Sequence, residues 1–165
     1  MKYEVCVNSY GKYTVGDVMG LWVELGREWE DLIEELIDNG FDLEGKDEEL
    51  FIIDDNGLGC GEAHPYEVNK VLYNIEDYEV SMFLACVEAL SFNEVCELVN
   101  NDSFEDVIFY EDMELIDVAY EIADEFLDSN NCPDLMSRYF DYEAFARDLS
   151  FDGYIETKYG VVLLP

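Results

Sequence analysis

Positive charge is what this chain most lacks. Eight Lys and Arg stand against 41 Asp and Glu, a formal net charge of −33 over 165 residues. Nucleic-acid binders use Lys and Arg to displace counterions from phosphates, so this composition argues against direct DNA or RNA binding. An anionic membrane surface is disfavoured for the same reason. Histidine is reduced to His64, which has no second His to share a zinc ion and precedes Pro65 in a turn; a structural role is expected. No stretch approaches the ~18 apolar residues of a membrane span, and Met1-Lys2-Tyr3-Glu4 opens no apolar leader core. The cysteines, Cys6, Cys60, Cys86, Cys96 and Cys132, form neither a C-x-x-C pair nor a metal-finger spacing. Buried thiols in a reducing, cytoplasmic setting are expected, with no metal and no cofactor.

Apolar residues are plentiful. Half the chain is hydrophobic and 15% aromatic, with only three prolines, so it folds despite its charge. Alternation predicts a strand over Tyr3 to Val7, a turn at Asn8-Ser9-Tyr10-Gly11-Lys12, and a second strand at Leu21-Trp22-Val23. Helical spacing runs from Glu28 to Asp38, with Gly40 as its stop. Leu50 to Ile53 reads as a buried strand, followed by the glycine cluster Gly57, Gly59 and Gly61, a candidate boundary. Short helices are expected at Tyr66 to Tyr73, Val80 to Leu90 and Asn93 to Val99, able to pack as a small bundle. Then come a strand at Asp106 to Tyr110, a long helix from Glu114 to Leu127, and strands at Tyr154 to Lys158 and Gly160 to Leu164. The fold class is α+β: an elongated chain of three small subdomains with small antiparallel sheets. They are an α+β subdomain over 1–61, a helical one over 62–103, and a second α+β one over 104–165.

Catalytic and metal chemistries find little support. The loop Asp54-Asp55-Asn56-Gly57-Leu58-Gly59 puts Leu58 and Pro65 where an EF-hand needs ligands. Gly57-Leu58-Gly59-Cys60-Gly61-Glu62 fails G-x-G-x-x-G at its last position. Carboxylate pairs suited to glycoside hydrolysis are uninformative, because 41 acidic residues guarantee some pair at a workable distance.

The arrangement of the charge is more telling. Glu114, Asp117, Glu121, Asp124, Glu125 and Asp128 recur at three- and four-residue intervals opposite Leu115, Val118, Ile122, Phe126 and Leu127, and no Lys or Arg answers them. Like pairs at these intervals cost ~0.2–0.5 kcal/mol each, so stability alone would place Lys there. Duplex DNA carries one charge per ~1.7 Å, so 33 charges match roughly 56 Å of duplex. Carboxylates on consecutive helix turns, ~5–6 Å apart, resemble phosphates in sign and approximate spacing.

Two segments resemble the ArdA family of antirestriction proteins. One is Asn8-Ser9-Tyr10-Gly11-Lys12-Tyr13 with Gly16, Gly20 and Trp22. The other is Tyr139-Phe140-Asp141-Tyr142-Glu143-Ala144-Phe145-Ala146-Arg147-Asp148-Leu149 with Gly153 and Gly160-Val161. The resemblance implies a non-enzymatic DNA mimic, carried by mobile genetic elements, that pairs into a curved homodimer. It would occupy the DNA groove of type I restriction-modification enzymes, at the methyltransferase core, and block restriction and often modification. The family's antirestriction motif maps onto residues 127–142, implying a dimer contact through Cys132, Pro133, Leu135, Met136, Tyr139, Phe140 and Tyr142. Under this reading the phosphate mimics are Glu28, Asp31, Glu34, Glu35 and Asp38, then Glu76, Asp77 and Glu79, then the Glu114 to Asp128 set. The aromatics Trp22, Tyr139, Phe140, Tyr142 and Phe145 are expected in the core or at the dimer contact. The alternative is an acidic adaptor or chaperone for another basic DNA-binding protein.

Overall fold

A computed structural model describes residues 1–129 and 138–165. The chain is α+β, and forms two compact units: Met1–Val80 with Ser91–Asn100, and Ser81–Leu90 with Asn101–Pro165.

The first unit is built on a three-stranded antiparallel sheet in the order β2-β1-β3, from β1 (Tyr3–Ser9), β2 (Leu21–Leu25) and β3 (Leu50–Asp54). Val5 pairs with Val23 and Tyr3 with Leu25, which puts Val5, Val23 and Leu25 on one face. That face is buried beneath α2 (Trp29–Asp38) and α3 (Pro65–Asn74), whose Leu32, Leu36, Val68 and Leu72 are fully or almost fully inaccessible. Helix α5 (Phe92–Asn100) adds Phe92 and Val95. The glycine cluster Gly57 to Gly61 is a turn inside this unit, where Ala63 O accepts from Ile52 N–H at 3.1 Å.

Asn8 to Lys12 does not form the expected turn. Strand β1 continues to Ser9, and α1 (Tyr10–Thr14) follows at once, because the Ser9 hydroxyl accepts from Lys12 N–H at 3.0 Å and caps it. Ser9 also donates to the Asp47 carboxylate, which accepts from Asp42 N–H at 2.8 Å. Gly11 sits so close to this loop that a Cβ there would fall 1.8 Å from the Lys46 carbonyl oxygen. His64 caps α3, its Nδ1 accepting from Tyr66 N–H at 3.2 Å.

The second unit carries the other antiparallel sheet, β4-β6-β5, from β4 (Ile108–Glu111), β5 (Tyr154–Thr157) and β6 (Gly160–Leu163). Helix α4 (Val80–Ala89), apart from Val80, belongs here, with Phe83 edge-on to Phe104 at 6.2 Å. The three helices expected at 62–103 are therefore shared between the units, α3 and α5 in the first and α4 in the second. Helix α6 (Leu115–Ser129) packs against α7 (Tyr142–Phe151), joining Val118, Ala119, Ala146, Leu149 and Val161 in one core. Helix α7 is an element that periodicity did not announce. Asp141 caps it by accepting from Ala144 N–H at 3.0 Å.

The thiols behave as expected in this frame. Cys6, Cys60 and Cys86 are buried and Cys96 half-buried, while Cys132 lies outside the described residues. Burial pushes Cys60 up to about 12 and Cys86 and Cys96 up to about 11, so these three stay protonated and unreactive at neutral pH.

Asp47 holds the first unit together locally. It has no accessible surface yet lies just beneath it. Burial pushes its carboxyl up, but the hydrogen bonds from Asp42 and Ser9, with Lys46 and Lys12 nearby, outweigh that and leave it below its ordinary 3.8. A lowered carboxyl stabilises the fold above its unfolded value, and that contribution is lost as pH falls through the folded one. Asp47→Ala leaves two donors without their acceptor, an expected loss of about 2–4 kcal/mol at pH 7. Urea unfolding checks it: the gap to wild type must shrink in acid below the ordinary carboxyl value.

Candidate functional site

Two helices present acidic stripes for the same reason. Each must bury one apolar face, and 3.6 residues per turn forces the carboxylates at three- and four-residue spacing onto the other. On α2, Leu32 and Leu36 are fully buried while Asp31, Glu34 and Asp38 are exposed, as is Glu28 at the N-cap. Glu30, whose neighbours Glu28 and Asp31 mark the stripe in the sequence, is exposed beside them. On α6, Val118, Ala119, Ala123 and Leu127 are buried, and Glu121, Asp124, Glu125 and Asp128 are exposed, with Asp117 and the preceding Glu114. Phe126, expected on the apolar face, is 63% exposed in the last turns.

At about 100° per residue, the acidic positions 114 to 128 fall within an arc of roughly 100°. They span ~21 Å along the axis, one carboxylate per roughly 4 Å, against one phosphate per ~3.4 Å along a DNA strand. None of the ion pairs found among the described residues involves this stripe.

Not every predicted carboxylate is equally available. Glu35 is half-buried and ion-paired with Arg27. Glu28 accepts from the Tyr73 hydroxyl at 2.6 Å. Asp117 accepts from Glu114 N–H at 3.2 Å, and Asp124 from the Tyr142 hydroxyl at 2.7 Å. These two phenols titrate above their ordinary 10, chiefly because each donates to a carboxylate. In the middle segment, Glu79 accepts from Glu76 N–H at 2.9 Å across the 3-10 turn Asp77–Glu79. Asp77 lies on this turn, its side chain outside the described atoms. The ties of Glu28 to Tyr73 and Asp124 to Tyr142 depend on partners far along the chain, whereas those of Asp117 and Glu79 are made three residues away at a helix or turn start.

The segment expected at a dimer contact is only partly visible. Cys132, Pro133, Leu135 and Met136 lie outside the described residues. Tyr142 stacks on Tyr120 at 4.2 Å, and Phe140 lies edge-on to Tyr142 and Phe145, so both are engaged within their own unit. Tyr139 stands 82% exposed, and Trp22 is 45% exposed on the first sheet. The loop 54–59 is organised for its own backbone: Asp55 accepts from Gly57, Cys60 and Gly61 N–H.

A family model described as antirestriction protein (ArdA) matches residues 5–163, and so spans both units. The chain belongs to the ArdA antirestriction family. No curated protein sequence matches it. ArdA proteins are inhibitors directed at restriction enzymes, and the matched range includes both the Asn8–Trp22 and the Tyr139–Val161 segments. None of the described helices is long and apolar enough to cross a membrane.

The acidic stripe of this ArdA chain carries an energetic cost. Glu121 faces like charges at Asp117, Asp124 and Glu125, each opposing the helix by ~0.2–0.5 kcal/mol. Glu121→Gln is therefore expected to stabilise the fold by about 0.5–1 kcal/mol, with the gain shrinking as salt screens the repulsion. Thermal unfolding in low and high NaCl is the measurement; a lowered midpoint in low salt contradicts the account.

Proposed function

We propose that this protein inhibits type I restriction-modification enzymes as a DNA mimic, setting carboxylates against the Lys and Arg that normally hold phosphates. The observation that carries this reading is the α6 stripe: an uncompensated arc of carboxylates close to the linear charge density of one DNA strand. An arc of carboxylates to which no cation is paired steers association with a basic groove and speeds it. The exposed α2 carboxylates, led by Asp31, Glu34 and Asp38, supply a second stretch, and Glu76 with Glu79 a third. Catalysis plays no part, since the action is occupancy of the groove. The binding site is the methyltransferase core, so both restriction and modification are blocked. Two copies pair through residues 127–142, with Tyr139 available to such a contact. The protein acts in the cytoplasm, where incoming DNA of a mobile element meets restriction enzymes.

The mechanism is distributed, so single and grouped changes differ. Neutralising any one stripe carboxylate is expected to weaken binding by less than ~1 kcal/mol. Replacing Glu114, Asp117, Glu121, Glu125 and Asp128 together by their amides is expected to abolish inhibition while raising stability, so loss of function cannot be attributed to unfolding. The test is a titration of purified protein into a type I methyltransferase already bound to its DNA target. Near-stoichiometric displacement of DNA, weakening steeply with salt, is expected. No displacement would sink the proposal and favour an adaptor for another basic protein, and one amide change that abolished inhibition would overturn the distributed mechanism.

A further inference from the structure

The first unit holds a cleft of about 150 Å³ where the start of α2 meets α3, lined by Glu28, Trp29 and Glu30 from the one and Tyr66, Lys70 and Tyr73 from the other. Positions 66, 70 and 73 stand at i, i+4 and i+7, so one face of α3 presents them together. Buried Asn69 fixes the two elements against each other. Its Oδ1 accepts from Gly26 N–H at 2.9 Å and its Nδ2 donates to the Arg27 carbonyl at 2.9 Å, tying the chain that enters α2 to α3. Trp29 lies edge-on to Tyr66 at 5.1 Å, and the Tyr73 hydroxyl holds the Glu28 carboxylate at 2.6 Å. The cleft is therefore shaped before any partner arrives, which lowers the ordering cost of binding.

Its chemistry selects a cation of a particular shape. Half-buried Trp29 and exposed Tyr66 and Tyr73 offer aromatic rings, and exposed Glu28 and Glu30 offer carboxylates. Two cations also line the cleft. Arg27 is neutralised by Glu35, and its Nε, which lacks a hydrogen-bond partner, is itself buried beyond the reach of an anion in the cleft. Lys70 has no ion pair among the described residues, and its exposed side chain can turn to solvent. A planar guanidinium stacks on rings and pairs with carboxylates at once, which a compact ammonium does less well. The volume falls below the ~300 Å³ of pockets that enclose a whole small molecule, so the occupant is the size of one side chain. Asp31 and Glu34 stand exposed on the following turn of α2, so the cleft adjoins the stripe already described.

We infer that this cleft receives an arginine side chain of the basic partner, its guanidinium against the rings of Trp29 and Tyr66 and its N–H groups donating to Glu28 and Glu30. The inference rests on the reading of the protein as a DNA mimic and adds to it a shaped contact that a phosphate backbone does not offer. Such a contact is screened by salt less than the open stripes are, because the rings shield it from solvent.

An NMR titration of the isotope-labelled full chain with N-acetyl-arginine methylamide tests this without any restriction enzyme. The chain has two indoles, Trp22 and Trp29, and Trp22→Phe assigns them. The Trp29 indole is expected to shift saturably, with a dissociation constant on the order of 1–10 mM. The lysine analogue should bind about threefold or more weakly, and the neutral citrulline analogue should leave the signal unmoved. Glu28→Gln and Glu30→Gln together should weaken binding about tenfold, and Lys70→Gln should strengthen it; thermal unfolding checks that these exposed changes keep the fold. No saturable Trp29 shift by about 0.1 M probe overturns the inference, as does an equal response to citrulline. So does a Trp29 shift with inorganic phosphate that Lys70→Gln removes, which would make the cleft an anion site. Failure of the arginine probe leaves displacement of DNA by the stripes standing, and failure of that displacement leaves the affinity for arginine standing, so the two readings fall separately.

Discussion

Repulsion among carboxylates is the constraint around which the rest of this molecule is arranged. With 41 acidic residues and eight cations, most negative charges have no counter-ion within the chain, and each unit must be closed by apolar burial against that opposing field. The closures are compact: two three-stranded sheets, each packed by helices on Val, Leu, Ile and Phe side chains. Cations are then too few to be spread evenly. Arg27 pairs with Glu35, Lys2 with Glu24, Lys12 with Asp17 and Lys158 with Glu88, and none is placed on α6. Where the scarce cations sit decides which surfaces stay strongly negative and which can approach neutrality.

The carboxylates themselves divide into two populations. Asp47, Asp55 and Asp141 are spent on backbone N–H groups, fixing a loop, a turn and a helix start. Asp31, Glu34, Asp38, Glu121, Glu125 and Asp128 stand outside, on faces whose opposite sides are buried. A count of acidic residues therefore overstates the surface a basic partner meets. The same division explains why the acidic loop at 54–59 is a poor cation site: one Asp55 oxygen already takes Cys60 N–H at 2.7 Å and Gly61 N–H at 3.3 Å.

What was legible in the sequence follows from the range of the interactions involved. Helices α2 and α6 and the strands at Tyr3, Leu50, Tyr154 and Gly160 announced themselves through local periodicity, which depends on residues a few positions apart. Helix α1 did not, because it is only five residues long and the Ser9 hydroxyl that caps it is also bound to Asp47, 38 residues further on. Helix α7 has a cap in Asp141, flanked by the aromatics Tyr139, Phe140, Tyr142 and Phe145, whose pattern lacks a clear helical period. Nothing local says that α3 and α5 join the first unit while α4 joins the second. The candidate carboxylates were legible as a stripe. Which of them are tied, Glu35 to Arg27 or Asp124 to the Tyr142 hydroxyl, was not, because the tie is made in space.

That α6 exists as a helix at all bears on how such a surface can be maintained. Like-charge pairs at 114/117, 117/121, 121/124, 121/125, 124/128 and 125/128 together oppose it by roughly 1–3 kcal/mol. Isolated, a helix of this length and composition would be marginal. Its apolar face supplies the difference: burying Val118 and Leu127 contributes about 1.5–3 kcal/mol each, with Ala119 and Ala123 adding less. Helix α7 and strands β5 and β6 provide the matching surface. The acidic stripe and the apolar stripe are thus two requirements on one element, and weakening the second would dissolve the first. Substitutions on the buried side of α6 should therefore cost inhibition through unfolding, whereas amide changes at Glu121, Glu125 and Asp128, which no hydrogen bond ties down among the described residues, act mainly on charge and relieve repulsion within the helix.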